Sequence, residues 1–181
     1  MNSAGLPDAV LEQWEAFVDD VEATADQYRD EGWSVLQLHP GDVTPQPGPQ
    51  DRRFDGSTGG DEGRDERPTD EDDLERVGFD VVVPDDEFED LAGLVDAGFE
   101  VTRYELYRGD GDASAFSLVV ELDESTRQAV LVPLYYQPSD VATLSRLADE
   151  RGELETHVRP LSRRRVIAFS HREPETFFGE N

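Results

Sequence analysis

Three histidines, His39, His157 and His171, and a run of arginines near the C-terminus are the residues of this 181-residue chain whose types and spacing could do chemistry. Arg159, Arg163, Arg164, Arg165 and Arg172 put five of the sixteen arginines within fourteen residues. Strand alternation predicts His157 and Arg159 on one face, and Arg163 and Arg165 on one face of the next strand. Such a hairpin could offer a cationic patch to a carboxylate, a phosphate or an acidic partner. The competing expectation is neutralisation by Glu153, Glu155 and helix acids, since 43 Asp and Glu residues make nearby partners hard to avoid. A second constellation is a pocket beside a central β-meander. It would use Tyr104 and Tyr107 with His39 and Asp42, or with His157 and Arg159, histidine serving as acid or base and arginine as anion anchor.

The strong catalytic signatures are missing. No Gly-rich phosphate loop, nucleophile elbow, paired-histidine helix motif or dinucleotide fingerprint occurs. The histidines are too far apart in sequence for a local metal motif, so ordinary hydrogen-bonded histidines are expected. With no cysteine there is no disulfide, thiolate nucleophile or thiolate metal site. No catalytic residue, metal or cofactor is assigned.

The elements that must position these groups follow from periodicity. Val10, Trp14, Phe17, Val21 and Tyr28 recur at spacings that predict a long amphipathic helix begun at Pro7 and ended by Gly32. Trp33 to Leu38 then alternates as a strand, closed by a turn at His39 to Asp42. From Thr44 to Asp73 no aliphatic side chain occurs, and Phe54 is the lone aromatic. That stretch is expected to be a disordered Pro/Gly-rich acidic insertion at 44–73, because it has almost nothing to bury. Phe79 to Val83 predicts a strand, and Pro84 with Asp85, Asp86 and Glu87 opens a helix that Gly98 ends. Phe99 to Tyr136 reads as three antiparallel strands, with Phe116, Leu118, Val120 and Leu122 alternating against Ala115, Ser117, Val119 and Glu121. A third helix runs from Pro138 to Gly152, and a final hairpin carries Leu154, Thr156 and Val158 and then Arg163 to Ser170. The expected fold is a single α+β domain over residues 6–178, mainly antiparallel, with a central meander packed by about three helices.

Charge narrows the environment. Acids outnumber bases 43 to 16, a net −27, and every basic residue is arginine. Residues 45–73 carry ten acids and four arginines, so the other 152 residues still hold −21 and the bias belongs to the folded part. Self-repulsion of this size weakens a compact state in dilute buffer and is screened at molar salt, where the Debye length is about 3 Å. Adaptation to high salt is therefore expected. Nucleic acid is excluded as a general partner, since phosphate binding needs a basic surface. No apolar run is long enough to span a membrane, and Met1 to Val10 lacks the pattern of a signal peptide, so a cytoplasmic location is expected.

Leu38-His39-Pro40-Gly41-Asp42, Gly78 to Pro84, Tyr104-Glu105-Leu106-Tyr107-Arg108, Thr156-His157-Val158-Arg159 and Phe169-Ser170-His171 with Pro174 and Phe177 resemble an uncharacterised haloarchaeal family, a domain of unknown function. The resemblance implies haloarchaeal origin and supplies no activity. The order from Pro84 to Ser170 resembles more weakly the fold of type III secretion chaperones, an analogy of fold alone. The reading these observations favour is a non-enzymatic module that binds a protein partner or itself through the sheet, with the arginine hairpin as contact. The alternative is a small-ligand sensor or enzyme with the His/Arg/Tyr pocket.

Overall fold

A computed structural model describes residues 8–46, 77–109, 115–162, 164–173 and 175–178. Residues 47–73 of the expected insertion lie outside them. The order is α1 (Asp8–Asp30), β1 (Ser34–Gln37), β2 (Asp42–Gln46), β3 (Gly78–Val82), α2 (Asp85–Asp96), β4 (Arg103–Gly109), β5 (Ala115–Asp123), β6 (Gln128–Tyr136), α3 (Pro138–Arg151), β7 (Glu153–Arg159), β8 (Ile167–Arg172) and the single turn α4 (Glu175–Phe178). The class is α+β.

The strands form two four-stranded mixed sheets, β1-β6-β5-β4 and β2-β3-β7-β8. The meander β4-β5-β6 is antiparallel throughout, with Glu121 opposite Tyr104 and Val120 opposite Glu105. Two ladders are parallel: β1 on β6, and β3 on β7. Strand β2 stands where only a turn and the start of the insertion were expected. Its Pro45 has no N–H to give a ladder, which argues against a strand in sequence and is tolerated here because β2 is an edge. The last strand begins at Ile167 rather than Arg163, so Arg165 precedes the ladder.

Glycines end the helices where expected. Gly32 has φ +89°, and the Trp33 N–H reaches back to the Tyr28 carbonyl, closing α1. Gly98 (φ +104°) does the same for α2, with the Phe99 N–H on the Leu94 carbonyl. Gly78 has a different reason. A Cβ there would lie 1.7 Å from the Glu155 carbonyl oxygen, so any side chain would push β3 off β7.

Because alternate residues of β5 and β6 serve opposite faces, the first sheet is buried on both. Phe116, Leu118, Val120 and Leu122 pack with Phe17, Val21, Ala25 and Tyr28 of α1. Val119, Val130, Val132 and Leu134 face Phe79, Val81, Leu154, Val158 and Phe169 of the second sheet, joined by Phe88 and Leu91 of α2 and Leu144 and Ala148 of α3. Phe79 stacks on Tyr136 across the two sheets at 5.3 Å. Each fully buried side chain of this size contributes roughly 1.5–3 kcal/mol, so the sheet-to-sheet core dominates the fold and fixes which polar groups are trapped inside it.

Candidate functional site

Strand β4 sorts its polar side chains by parity. Arg103, Glu105 and Tyr107 lie opposite Leu122, Val120 and Leu118, residues that pack toward α1, whereas Tyr104 lies opposite Glu121 on the face toward the second sheet. Two polar clusters result, one on each side of the same sheet.

The outer cluster is open. Tyr28, on the last turns of α1, and Tyr107 both donate their hydroxyls to Glu105 Oε2, Tyr107 at 2.8 Å, and the two hydroxyl oxygens are 3.3 Å apart. Arg103 approaches Glu105 Oε1 at 3.3 Å and Glu124 at 3.6 Å. Partial burial pushes the Glu105 carboxyl up, but the Tyr28 and Tyr107 hydroxyls and the Arg103 charge outweigh it, so it sits below the usual carboxylate range. Burial, then the bonds to Glu105 and Tyr107, raises the Tyr28 phenol. These groups line a pocket of about 260 Å³ with Gln27, Glu31 and Trp33. A second hollow of about 200 Å³ shares Tyr107 and adds Phe17, Val21 and Leu118, continuing the groove along α1.

The inner cluster is closed. Glu121 and His171 are both 0% exposed, with His171 Nε2 3.1 Å from Glu121 Oε1 and 3.1 Å from Thr156 Oγ1. The Tyr104 ring stands edge-on to the imidazole at 4.7 Å and gives its hydroxyl to the Arg172 carbonyl at 2.6 Å. Neither oxygen of Glu121 has a well-aligned hydrogen bond, nor does His171 Nδ1. Desolvation pushes Glu121 well above the ordinary carboxylate range and His171 down to about 4, so near neutrality the imidazole is uncharged.

The residues singled out in the sequence are dispersed. Tyr104 and Tyr107 occupy opposite faces of one sheet, because three positions separate them and strand parity is two. His39 is held by Glu87 of α2, its N–H at 2.7 Å and its Nδ1 at 2.6 Å, while Asp42 accepts from Thr44 at 3.3 Å. They therefore form no pocket with Tyr104 and Tyr107. His157 and Arg159 do share a face of β7, but both are buried. Arg159 makes a two-pronged ion pair with Asp80, both bonds 2.8 Å, and His157 Nε2 lies 3.0 Å from Glu155. Arg165 grips Asp96 through two bonds of 2.9 and 3.1 Å, and Arg164 meets Glu89 at 3.0 Å. Arg163 lies outside the described residues. Every described arginine from 159 to 165 is thus matched by an acid. His157 and His171, though on paired strands, point to opposite sides of their sheet, and no group of three potential metal ligands occurs among the described residues.

Sequence reasoning missed Tyr28, Glu105, Glu121 and Thr156. Tyr28 looked like one more member of an apolar stripe, and only the pairing of β4 with β5 puts Glu105 beneath it. Glu121 looked like the polar alternate of a one-sided strand, a reading that failed because both faces of β5 are covered.

The family model for a family of unknown function, DUF7529, matches residues 3–62 and 57–179, and the chain belongs to that family. No curated protein and no solved structure matches.

Proposed function

For a member of a family without an established activity, we propose a non-catalytic module that binds a small ligand in the groove between α1 and β4. The observation that carries this is the Glu105 carboxylate, held by two tyrosine hydroxyls at the wall of an open 260 Å³ pocket. A charged group, aromatic surface and solvent access coincide there. The histidines offer no comparable site: His171 is sealed between the sheets, His157 is buried beside Glu155, and exposed His39 is already bound to Glu87. Screening a fragment library by thermal shift against the wild type and Glu105→Gln/Tyr107→Phe is the test. Fragments that raise the melting temperature of the wild type alone support the reading, and hits that act equally on both proteins, or none at all, overturn it.

A protein partner or self-association through the sheet is the second reading. It is favoured by β4, whose outer edge pairs with no strand among the described residues. The arginine hairpin supports it less, because Arg159, Arg164 and Arg165 already have acidic partners. Sedimentation that finds one monomeric species from micromolar to millimolar protein in 2 M KCl would remove self-association.

The setting we propose for either activity is the salt-rich cytoplasm of a haloarchaeon, on the strength of −27 net charge without lysine. No described helix is long and apolar enough to cross a membrane. Raising KCl from 0.1 to 3 M should raise the melting temperature, most steeply below about 0.5 M where screening changes fastest. A flat or falling curve would sink the salt-adapted reading.

A further inference from the structure

Resting on the ligand-pocket reading above, we infer that the groove selects a small organic cation, an alkylammonium group seated among Trp33, Tyr107, Glu31 and Glu105. Three features of the wall point the same way. Its aromatic content is high for so small a site: Tyr28 and Trp33 meet at 89° with centroids 6.0 Å apart, and Tyr107 is 43% exposed at the mouth. Ring faces carry partial negative charge and attract cations, most strongly at indole. The Arg127 guanidinium already stands 5.7 Å from the Trp33 ring centroid, so a ligand would use the part of the indole that lines the pocket.

Fixed charge adds to this. Glu31 and Glu105 both line the pocket, and Glu31 forms no ion pair among the described residues. The one lining cation, Arg103, is divided between Glu105 and Glu124 at 3.3 and 3.6 Å, so one positive charge serves two carboxylates. Both acids contribute to raising the Tyr107 phenol, after burial and its bond to Glu105, so the mouth of the pocket lies in a negative field. The −27 charge of the chain extends that field outward and draws cations toward the surface while repelling anions. An alkylammonium satisfies the site better than a bare metal ion, because its methyl groups cover the Trp33 and Tyr107 rings while its charge faces carboxylates, and it has little hydration to lose.

Titration of the full chain with tetramethylammonium, followed by the indole N–H resonances at constant ionic strength, tests the inference. Trp14→Phe identifies which resonance belongs to Trp33. The expected result is a saturable shift of the Trp33 signal and none at Trp14, weakened about fivefold by Tyr107→Leu and about threefold by Glu31→Gln. Glu31 is exposed, so its variant keeps the test valid if Tyr107→Leu fails to fold. If acetate or phosphate shifts Trp33 and tetramethylammonium does not, the cation is wrong while the ligand pocket stands. If none of the three probes moves Trp33, both fall. Equal shifts at Trp14 and Trp33 mean nonspecific association and overturn the cation site.

Discussion

Glu105 and Glu121 occupy adjacent strands of one sheet and are driven in opposite directions. Glu105, facing α1, meets two phenols and a guanidinium, which hold its carboxyl below the usual range; Glu121, facing the second sheet, meets an imidazole and hydrocarbon, and burial pushes its carboxyl well above that range. The residue type is the same, the strand geometry is the same, and parity differs. A sheet covered on both sides therefore carries two separate electrostatic environments within one strand spacing, about 5 Å. One suits a ligand that brings charge. The other is sealed between the sheets, at a cost in unsatisfied oxygens.

The sharpest way to break this comparison is acidification, because His171 of the inner pair should respond most strongly. His171 has a folded value of about 4 against an ordinary 6.5. The unfolded chain thus binds the extra proton first, and stability is lost as pH falls from 6.5 to 4, roughly 3 kcal/mol in all. Glu121 has the opposite sign: its raised value means stability is fullest below about 4.5 and declines as pH rises above it. Urea midpoints for the wild type and His171→Leu at pH 6.5, 5.5 and 4.5 isolate the first effect. Parallel pH profiles for the two proteins would mean that His171 is not held neutral by burial.

The same substitution should then change sign between the two faces. Glu121→Met removes two buried oxygens without aligned partners and should stabilise by roughly 1–2 kcal/mol, whereas Glu105→Met strips Tyr28 and Tyr107 of their acceptor and should cost roughly 1 kcal/mol. Denaturant unfolding at pH 7 measures both. Destabilisation of similar size at both positions would show that Glu121 is better satisfied than its geometry implies. The smallest expected effect is spectroscopic. Glu105→Gln should bring the Tyr107 phenol back toward 10, seen as an earlier rise in ultraviolet absorbance on alkaline titration, while Glu121→Gln should leave it in place. An unchanged curve for Glu105→Gln would assign the Tyr107 shift to burial alone.

Much of the scaffold was readable from local pattern. Gly32, Gly98 and Gly152 mark helix ends because their left-handed backbone is cheap only without a Cβ. The meander was readable because its connections are short. Strand β2 was not, since Pro45 and the polar composition after Asp42 resemble a loop, and pairing to Phe79 lies across the long segment between them. Of the site, Tyr107 was noticed for its type, but its neighbours were chosen from the wrong face. Arg159 was noticed for its charge, and its true partner, Asp80, is 79 residues away.

By itself, the sequence determined the helices, the alternating strands, the α+β class and the heavily acidic surface. These depend on neighbours within a few positions or on composition. Tertiary structure alone decided that the strands divide into two sheets, that β1 and β3 run parallel to their partners, and that β5 is buried on both faces. Those outcomes depend on which distant segments meet. That Glu105 is driven below the usual carboxylate range and Glu121 above it follows from the same fact, since a carboxyl responds to the groups brought against it and not to its place in the chain.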